Sequence, residues 1–324
     1  MSERTITGLE PRIGDSVRSV EEFRVEGEKV AEFAAALGDD DPIYRDSEAA
    51  AERGYDRRPA PPTFTRTAMF PRYRPENARR LGLDIGFDIR YELHGEQVYQ
   101  FRRPVYVGDT LSATTTLLDA YEREGRHGGV MTFAVLETEF VDEDGDPVVT
   151  ERQTVIETDG SVGTDGPSGG RSEYDATTTR MTVRRTGSID SSTTPDVGDT
   201  GPTTVIEGLT PQDFVRYAGA SGDFNPIHYD GRYAEALGNP DVFGQGMLTA
   251  GYAGQFLADW FGLVNLHRFR ARFTARVWPG DTLTIDGEVT GVGDETIDAD
   301  VFVTRQTGDR VLSGDVTAAT RDRS

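Results

Sequence analysis

A degraded internal copy constrains this chain more than anything else in it. The segment Tyr217 to Met247, YAGASGDFNPIHYDGRYAEALGNPDVFGQGM, has a counterpart 184 positions earlier, FAAALGDDDPIYRDSEAAAERGYDRRPAPPT. Without a gap, Gly38, Asp39, Pro42, Ile43, Asp46 and Gly54 fall on Gly222, Asp223, Pro226, Ile227, Asp230 and Gly238. The match extends to Ile13-Gly14-Asp15 against Val197-Gly198-Asp199. It resumes at an offset of 172 where Val107-Gly108-Asp109-Thr110-Leu111 meets Pro279-Gly280-Asp281-Thr282-Leu283. Such self-similarity is the mark of a tandem duplication. At 324 residues the chain has room for two domains of ordinary size.

Each unit reads as a lead-in strand, a helix, the motif loop, a further helix, and a GDTL turn between β-rich stretches. The Val-, Thr- and Ile-rich runs after the motifs alternate in part and are broken at DEDGDP and QTGDR, which predicts antiparallel hairpins. A helix starting near Gly246, GMLTAGYAGQFLADWFG, is apolar on almost every side, so it is expected to be wrapped by other elements. Its small residues Ala250, Gly251, Ala253 and Gly254 are expected to admit a sheet at close range. The matching piece of the first unit, TFTRTAMFPRY, is cut short by Pro71, which would open space along the sheet for an extended substrate. The expected fold class is α+β, in two units each built of a helix on an antiparallel sheet. The first unit is assigned to residues 1–158 and the second to 195–324. Residues 159–194, rich in Gly, Ser, Thr and Asp, are expected to form a mobile linker carrying at most a short strand near 180–185.

One difference between the copies bears on chemistry. Tyr44 stands where the second copy has His228, so only the second offers a carboxylate, Asp223, and an imidazole within reach of each other. Such a pair can divide general acid and base roles near neutral pH. Asn225 could orient the carboxylate or a water. Gly246, at the start of the apolar helix, brings a backbone N–H without an intrahelical partner. The blander alternative for Asp223 is a cap or turn, and that is the reading adopted for Asp46 and Asp230. Asp39, without a histidine, is read as structural.

This string, with Gln-Gly-Met at 245–247, resembles the hydratase 2 motif of MaoC-like dehydratases, the (R)-specific enoyl-CoA hydratase group. The first half resembles the degenerate N-terminal domain of its two-domain members. The resemblance implies a tandem double hotdog, each half a long helix wrapped by an antiparallel sheet, with the second half catalytic. It implies Asp223 and His228 as the acid–base pair and the Gly246 amide as the donor to a thioester oxygen. It places Asn225, Gln245 and Met247 around the substrate. Gln245 departs from the family pattern, which has His at that position.

Composition narrows the rest. Net charge is −22, and of 34 basic residues only Lys29 is a lysine. That balance argues against nucleic acid as a partner. It suits a chain kept soluble in molar salt, as in an extreme halophile, where screening over about 3 Å removes self-repulsion. There are no cysteines, and the four histidines, His94, His127, His228 and His267, are scattered, so no metal is expected, and the Asp223–His228 scheme requires no external cofactor. No run resembles a signal sequence or a membrane span, which predicts a soluble cytoplasmic protein without membrane contact. His94, His127 and His267 are given no role. Arg268, Arg270 and Arg272, with Arg276 in the same register, form a stripe. It is read as a lattice with surface carboxylates or, with Arg270 and Arg272 as substrate contacts, as a grip on the phosphates of coenzyme A.

The expected reaction interconverts a 2-enoyl-CoA and water with an (R)-3-hydroxyacyl-CoA. The alternatives are the same chemistry on a branched dicarboxylic acyl-CoA, such as mesaconyl-CoA or β-methylmalyl-CoA, and a non-catalytic acyl-thioester binding subunit. An arginine lining the acyl pocket would favour the dicarboxylic substrate. An acyl carrier protein is disfavoured as partner because its acidic surface would meet another, and assembly into a homodimer of such chains is allowed for.

Overall fold

The computed structural model describes residues 6–70, 73, 83–125, 129–158, 181–186 and 195–320. His127, Pro71 and most of the expected linker lie outside the described residues. In the first half, β1 (Ser16–Arg24), α1 (Gly27–Ala36) and α2 (Ser47–Glu52) precede β2 (Glu92–Phe101), β3 (Thr110–Glu124), β4 (Val130–Val141) and β5 (Pro147–Glu157). After β6 (Thr182–Thr186), the second half repeats the plan with β7 (Thr203–Glu207), α3 (Pro211–Ser221), α4 (Gly231–Ala236) and α5 (Gly246–Phe261). It ends with β8 (Leu266–Phe273), β9 (Leu283–Val292), β10 (Thr296–Arg305) and β11 (Arg310–Ala319).

All eleven strands join one antiparallel sheet in the order β1-β3-β4-β5-β2-β8-β11-β10-β9-β7-β6. The halves meet at β2 and β8, where Tyr99 pairs with Phe269 and Val98 with Arg270. Alternation sets the inward face: in β10, Ile297, Ala299, Val301 and Val303 are buried while the residues between them are more exposed. The hairpins close at DEDGD and QTGD, as their turn residues require. The two GDTL turns are held alike, with Asp109 Oδ2 accepting from Tyr106 N at 3.0 Å and Asp281 Oδ2 from Trp278 N at 2.8 Å.

Thirteen of the sixteen residues of α5 are buried. Its small residues face a different neighbour from the expected one. A Cβ on Gly251 would come within 2.5 Å of Leu37 Cδ2, and one on Gly254 within 3.5 Å of Pro62 and Thr63, so these glycines admit the first half and not the sheet. On the sheet side the close approach is granted by Gly287 of β9, where a Cβ would lie 2.6 Å from the Trp260 ring. In the register of the start of α5, the described residues of the first half form a six-residue 3-10 segment, Phe64–Met69. Part of the expected linker is also ordered against the sheet, since β6 pairs with β7 at its edge, with Val183 opposite Ile206.

Candidate active site

Helix α3 stops at Gly222, whose left-handed φ of 81° turns the chain out of the helix and aims the motif loop inward. Gly38 does the same in the first half, at 70°. Asn225 caps the following 3-10 turn, Pro226–His228, its Oδ1 accepting from Ile227 N at 3.3 Å. Asp230 and Asp46 accept from the first-turn amides of α4 and α2, and so are caps as expected.

Asp223, Asn225, His228, Gly246 and Met247 all line one cavity of about 400 Å³. His228 is 8% exposed, and its Nδ1 lies 2.8 Å from the Phe243 carbonyl oxygen. A carbonyl only accepts, so Nδ1 carries a proton. The Phe243 ring stands edge-on to the imidazole with centroids 5.3 Å apart and leans on Trp278 behind it. Gly246 is the first residue of α5, and a side chain there would press on the Phe273 ring at 3.3 Å.

The first half contributes more than scaffold. Arg66, on the 3-10 segment, places Nη2 at 3.2 Å from Asp223 Oδ2, with only 11% and 15% of the two side chains exposed. Burial opposes the Arg66 cation, but Asp223, Tyr217, Tyr99 and Glu151 around it turn the shift upward. His94 also lines the cavity, edge-on to Phe273 at 5.0 Å. Burial first and the Arg66 cation second push its pKa down to about 3, so it is a neutral imidazole. Glu151 lies beyond Arg66, its pKa raised by burial, with Oε2 accepting from Gln97 Nε2 at 3.3 Å. The cavity wall thus includes His94, to which the sequence assigned no role, and Arg66 of the first half, although the chemistry was expected from the second half. Arg66 carried one signal in sequence, as the lone cation of the largely uncharged stretch PAPPTFTRTAMF.

Gln245 is 1% exposed and absent from the cavity lining; its Nε2 donates to Phe214 O at 3.0 Å and ties the start of α5 to α3. Arg270 and Arg272 are likewise absent from the lining. Arg270 pairs with Asp315 at 2.9 Å and Glu96 at 3.9 Å, Arg268 also pairs with Asp315, and Arg272 is exposed. Arg268 and Arg270 thus form an arginine–carboxylate lattice on the face away from buried Phe269 and Ala271. Arg276 leaves its register, because β8 ends at Phe273; it lines the cavity with its guanidinium 5.1 Å from the Phe243 ring. Arg90, paired with Asp88, lines it too. Asp39, the counterpart of Asp223, accepts from Gln255 Nε2 at 2.9 Å. Among the described residues no group of three or more His, Asp or Glu is placed to hold a metal ion, and no helix is long and apolar enough to cross a membrane.

Residues 12–151 match the FAS1-like dehydratase domain region, and residues 192–309 match the MaoC like domain. A UPF0336 protein of Streptomyces avermitilis is 37% identical over 107 residues, which is 32% of this chain and 68% of the relative. A solved MaoC-like dehydratase superposes with a TM-score of 0.75 at 28% identity, over 97% of this chain and 99% of its own. A conserved hypothetical protein of Mycobacterium tuberculosis with a double hotdog fold superposes with a TM-score of 0.59 at 15% identity, over 95% of this chain and 96% of its own. The fold is thus a double hotdog.

Proposed function

The chain belongs to the MaoC-like dehydratase family, and we propose that it interconverts a 2-enoyl-CoA with an (R)-3-hydroxyacyl-CoA. What supports the reading is that Asp223 and His228 of the motif loop and Gly246 at the start of α5 line one cavity.

Hydration forms a C–O bond at the β-carbon and a C–H bond at the α-carbon, so one proton must leave water and one must reach carbon. With Nδ1–H donated to the Phe243 carbonyl, His228 exchanges its proton at Nε2. Asp223 is the second exchanging group. The Gly246 N–H, at the positive end of α5, donates to the thioester oxygen as charge develops there, an effect of about 3 kcal/mol in comparable sites. The protein residues suffice for this scheme without a cofactor, and a cytoplasmic setting fits a coenzyme A thioester.

A branched dicarboxylic acyl-CoA is the second reading, favoured by the arginines Arg66, Arg90 and Arg276 in the lining. Arg66 is engaged by Asp223, Arg90 by Asp88, and the Arg276 guanidinium stands 5.1 Å from the Phe243 ring. The test follows loss of enoyl-thioester absorbance with crotonyl-CoA and mesaconyl-CoA, in about molar KCl to screen the acidic surface, beside Asp223→Asn. Turnover of crotonyl-CoA that Asp223→Asn abolishes is the expected result. Turnover of mesaconyl-CoA alone would move the assignment to dicarboxylic substrates, and turnover of neither by folded protein would return it to binding.

A further inference from the structure

We infer that Arg66 is a positioning residue for Asp223, so that the acid–base site is completed across the junction by the half that lacks the histidine. The inference rests on the hydratase reading above and adds to it a residue from outside the motif.

Three observations carry it. The first is geometry: Arg66 Nη2 meets Asp223 Oδ2 at 3.2 Å inside the cavity wall, with both side chains largely shielded. Engaging Oδ2 restricts the rotation of the carboxylate.

The second is where Arg66 comes from. At the offset of 184 it stands in the register of Ala250, a fully buried residue of α5. Phe64–Met69 is a 3-10 segment where the second half has the first turns of α5, and it carries the guanidinium that reaches Asp223. The third is the contrast with the idle motif. Asp39 is also met by the opposite half, but by the neutral amide of Gln255 at 2.9 Å, with the Arg185 guanidinium farther off at 3.7 Å. Of the two motif carboxylates, Asp223 and not Asp39 has a shielded guanidinium in direct hydrogen-bond contact.

A purely stabilising role fits poorly. A shielded ion pair seldom outperforms apolar side chains of the same volume, because both charges lose their hydration. Its use lies in fixing one group relative to another, and a misplacement of about 1 Å at a reacting group can cost about 100-fold in rate.

The test compares the full chain with Arg66→Gln, Arg66→Lys and Asp223→Asn. For Arg66→Gln, kcat is expected to fall about 100-fold with KM changed less than about threefold. The acidic limb of its kcat/KM profile should move to higher pH, since a carboxylate without its cation protonates more readily. Arg66→Lys keeps the charge without the fork, and should regain at least about tenfold and bring the limb back. An unchanged kcat and limb in Arg66→Gln would overturn the inference. So would a loss that Lys does not rescue and that follows a fall in melting temperature. If the unmodified chain hydrates neither thioester, the hydratase reading fails separately. The pair is then read by carbon-13 titration of the Asp223 carboxyl, identified by its absence in Asp223→Asn. A higher midpoint in Arg66→Gln upholds the pairing, and an equal midpoint refutes it.

Discussion

Arg185 of β6 holds Asp259, near the end of α5, at 2.7 Å, so a strand from between the two halves is fastened to the central helix of the second. Asp39 stands at 3.7 Å from the same guanidinium, which gathers the first-half motif, the intervening strand and α5 around one cation. Two carboxylates share that cation, and neither is fully hydrated.

The arrangement makes stability depend on pH. Burial chiefly, opposed by Arg185 and reinforced by Asp39, raises the Asp259 pKa from 3.8 to about 6. The folded state therefore binds this proton more tightly than the unfolded chain does. The contribution is fully present below about pH 4 and is lost as pH rises through about 6. Asp259→Asn, which cannot ionise, should gain on the unmodified protein in melting temperature as pH is raised across that window. Parallel curves from pH 4 to pH 7 would show that the carboxyl is not perturbed.

Gly246 allows the backbone donor to be removed with little change to the helix. It is the first residue of α5, where proline is tolerated, and the preceding Gln245 already has φ −60° and ψ 136°, the extended geometry proline requires before it. The Phe273 ring would have to give slightly, since a Cβ lies 3.3 Å from it. Gly246→Pro should keep its far-ultraviolet circular dichroism and lose about 100- to 1,000-fold in kcat. Retention of full activity would remove this amide from the reaction.

Gly314 of β11 lies opposite Ala271 of β8, and a Cβ there would sit 2.2 Å from the Arg270 carbonyl oxygen. Backbone cannot step aside as a side-chain end can. Gly314→Ala should therefore cost about 1–3 kcal/mol, despite the better strand propensity of alanine. Urea denaturation read by tryptophan fluorescence measures it, and a neutral result would mean that the β8–β11 ladder opens without penalty.

Salt should stabilise the fold. With a net charge of −22, self-repulsion at about 0.1 M salt acts over about 10 Å, and at about 1 M over about 3 Å. The melting temperature is expected to climb with KCl across that range, and a flat response would show that the acidic surface is already neutralised by its own arginines.

Much of this was legible in the chain itself. Repetition at offsets of 184 and then 172 revealed two units, because the left-handed glycines Gly38 and Gly222, the caps Asp46 and Asp230, and the Asp109 and Asp281 turns are local devices whose partners lie a few residues away. The position of α5 was readable for a similar reason, as a continuous apolar stretch has to be covered. What covers it was not. That Gly251 meets Leu37, that Arg66 reaches Asp223 and that Arg276 leaves the stripe of Arg268 and Arg270 to line the cavity depend on how two halves dock through β2 and β8. The sequence by itself determined the repeated elements, the motif loop and the histidine that distinguishes one copy from the other. Only the tertiary structure decided which charge stands beside the Asp223 carboxylate, because ion pairs between residues 157 positions apart obey distance in space and leave no periodicity along the chain.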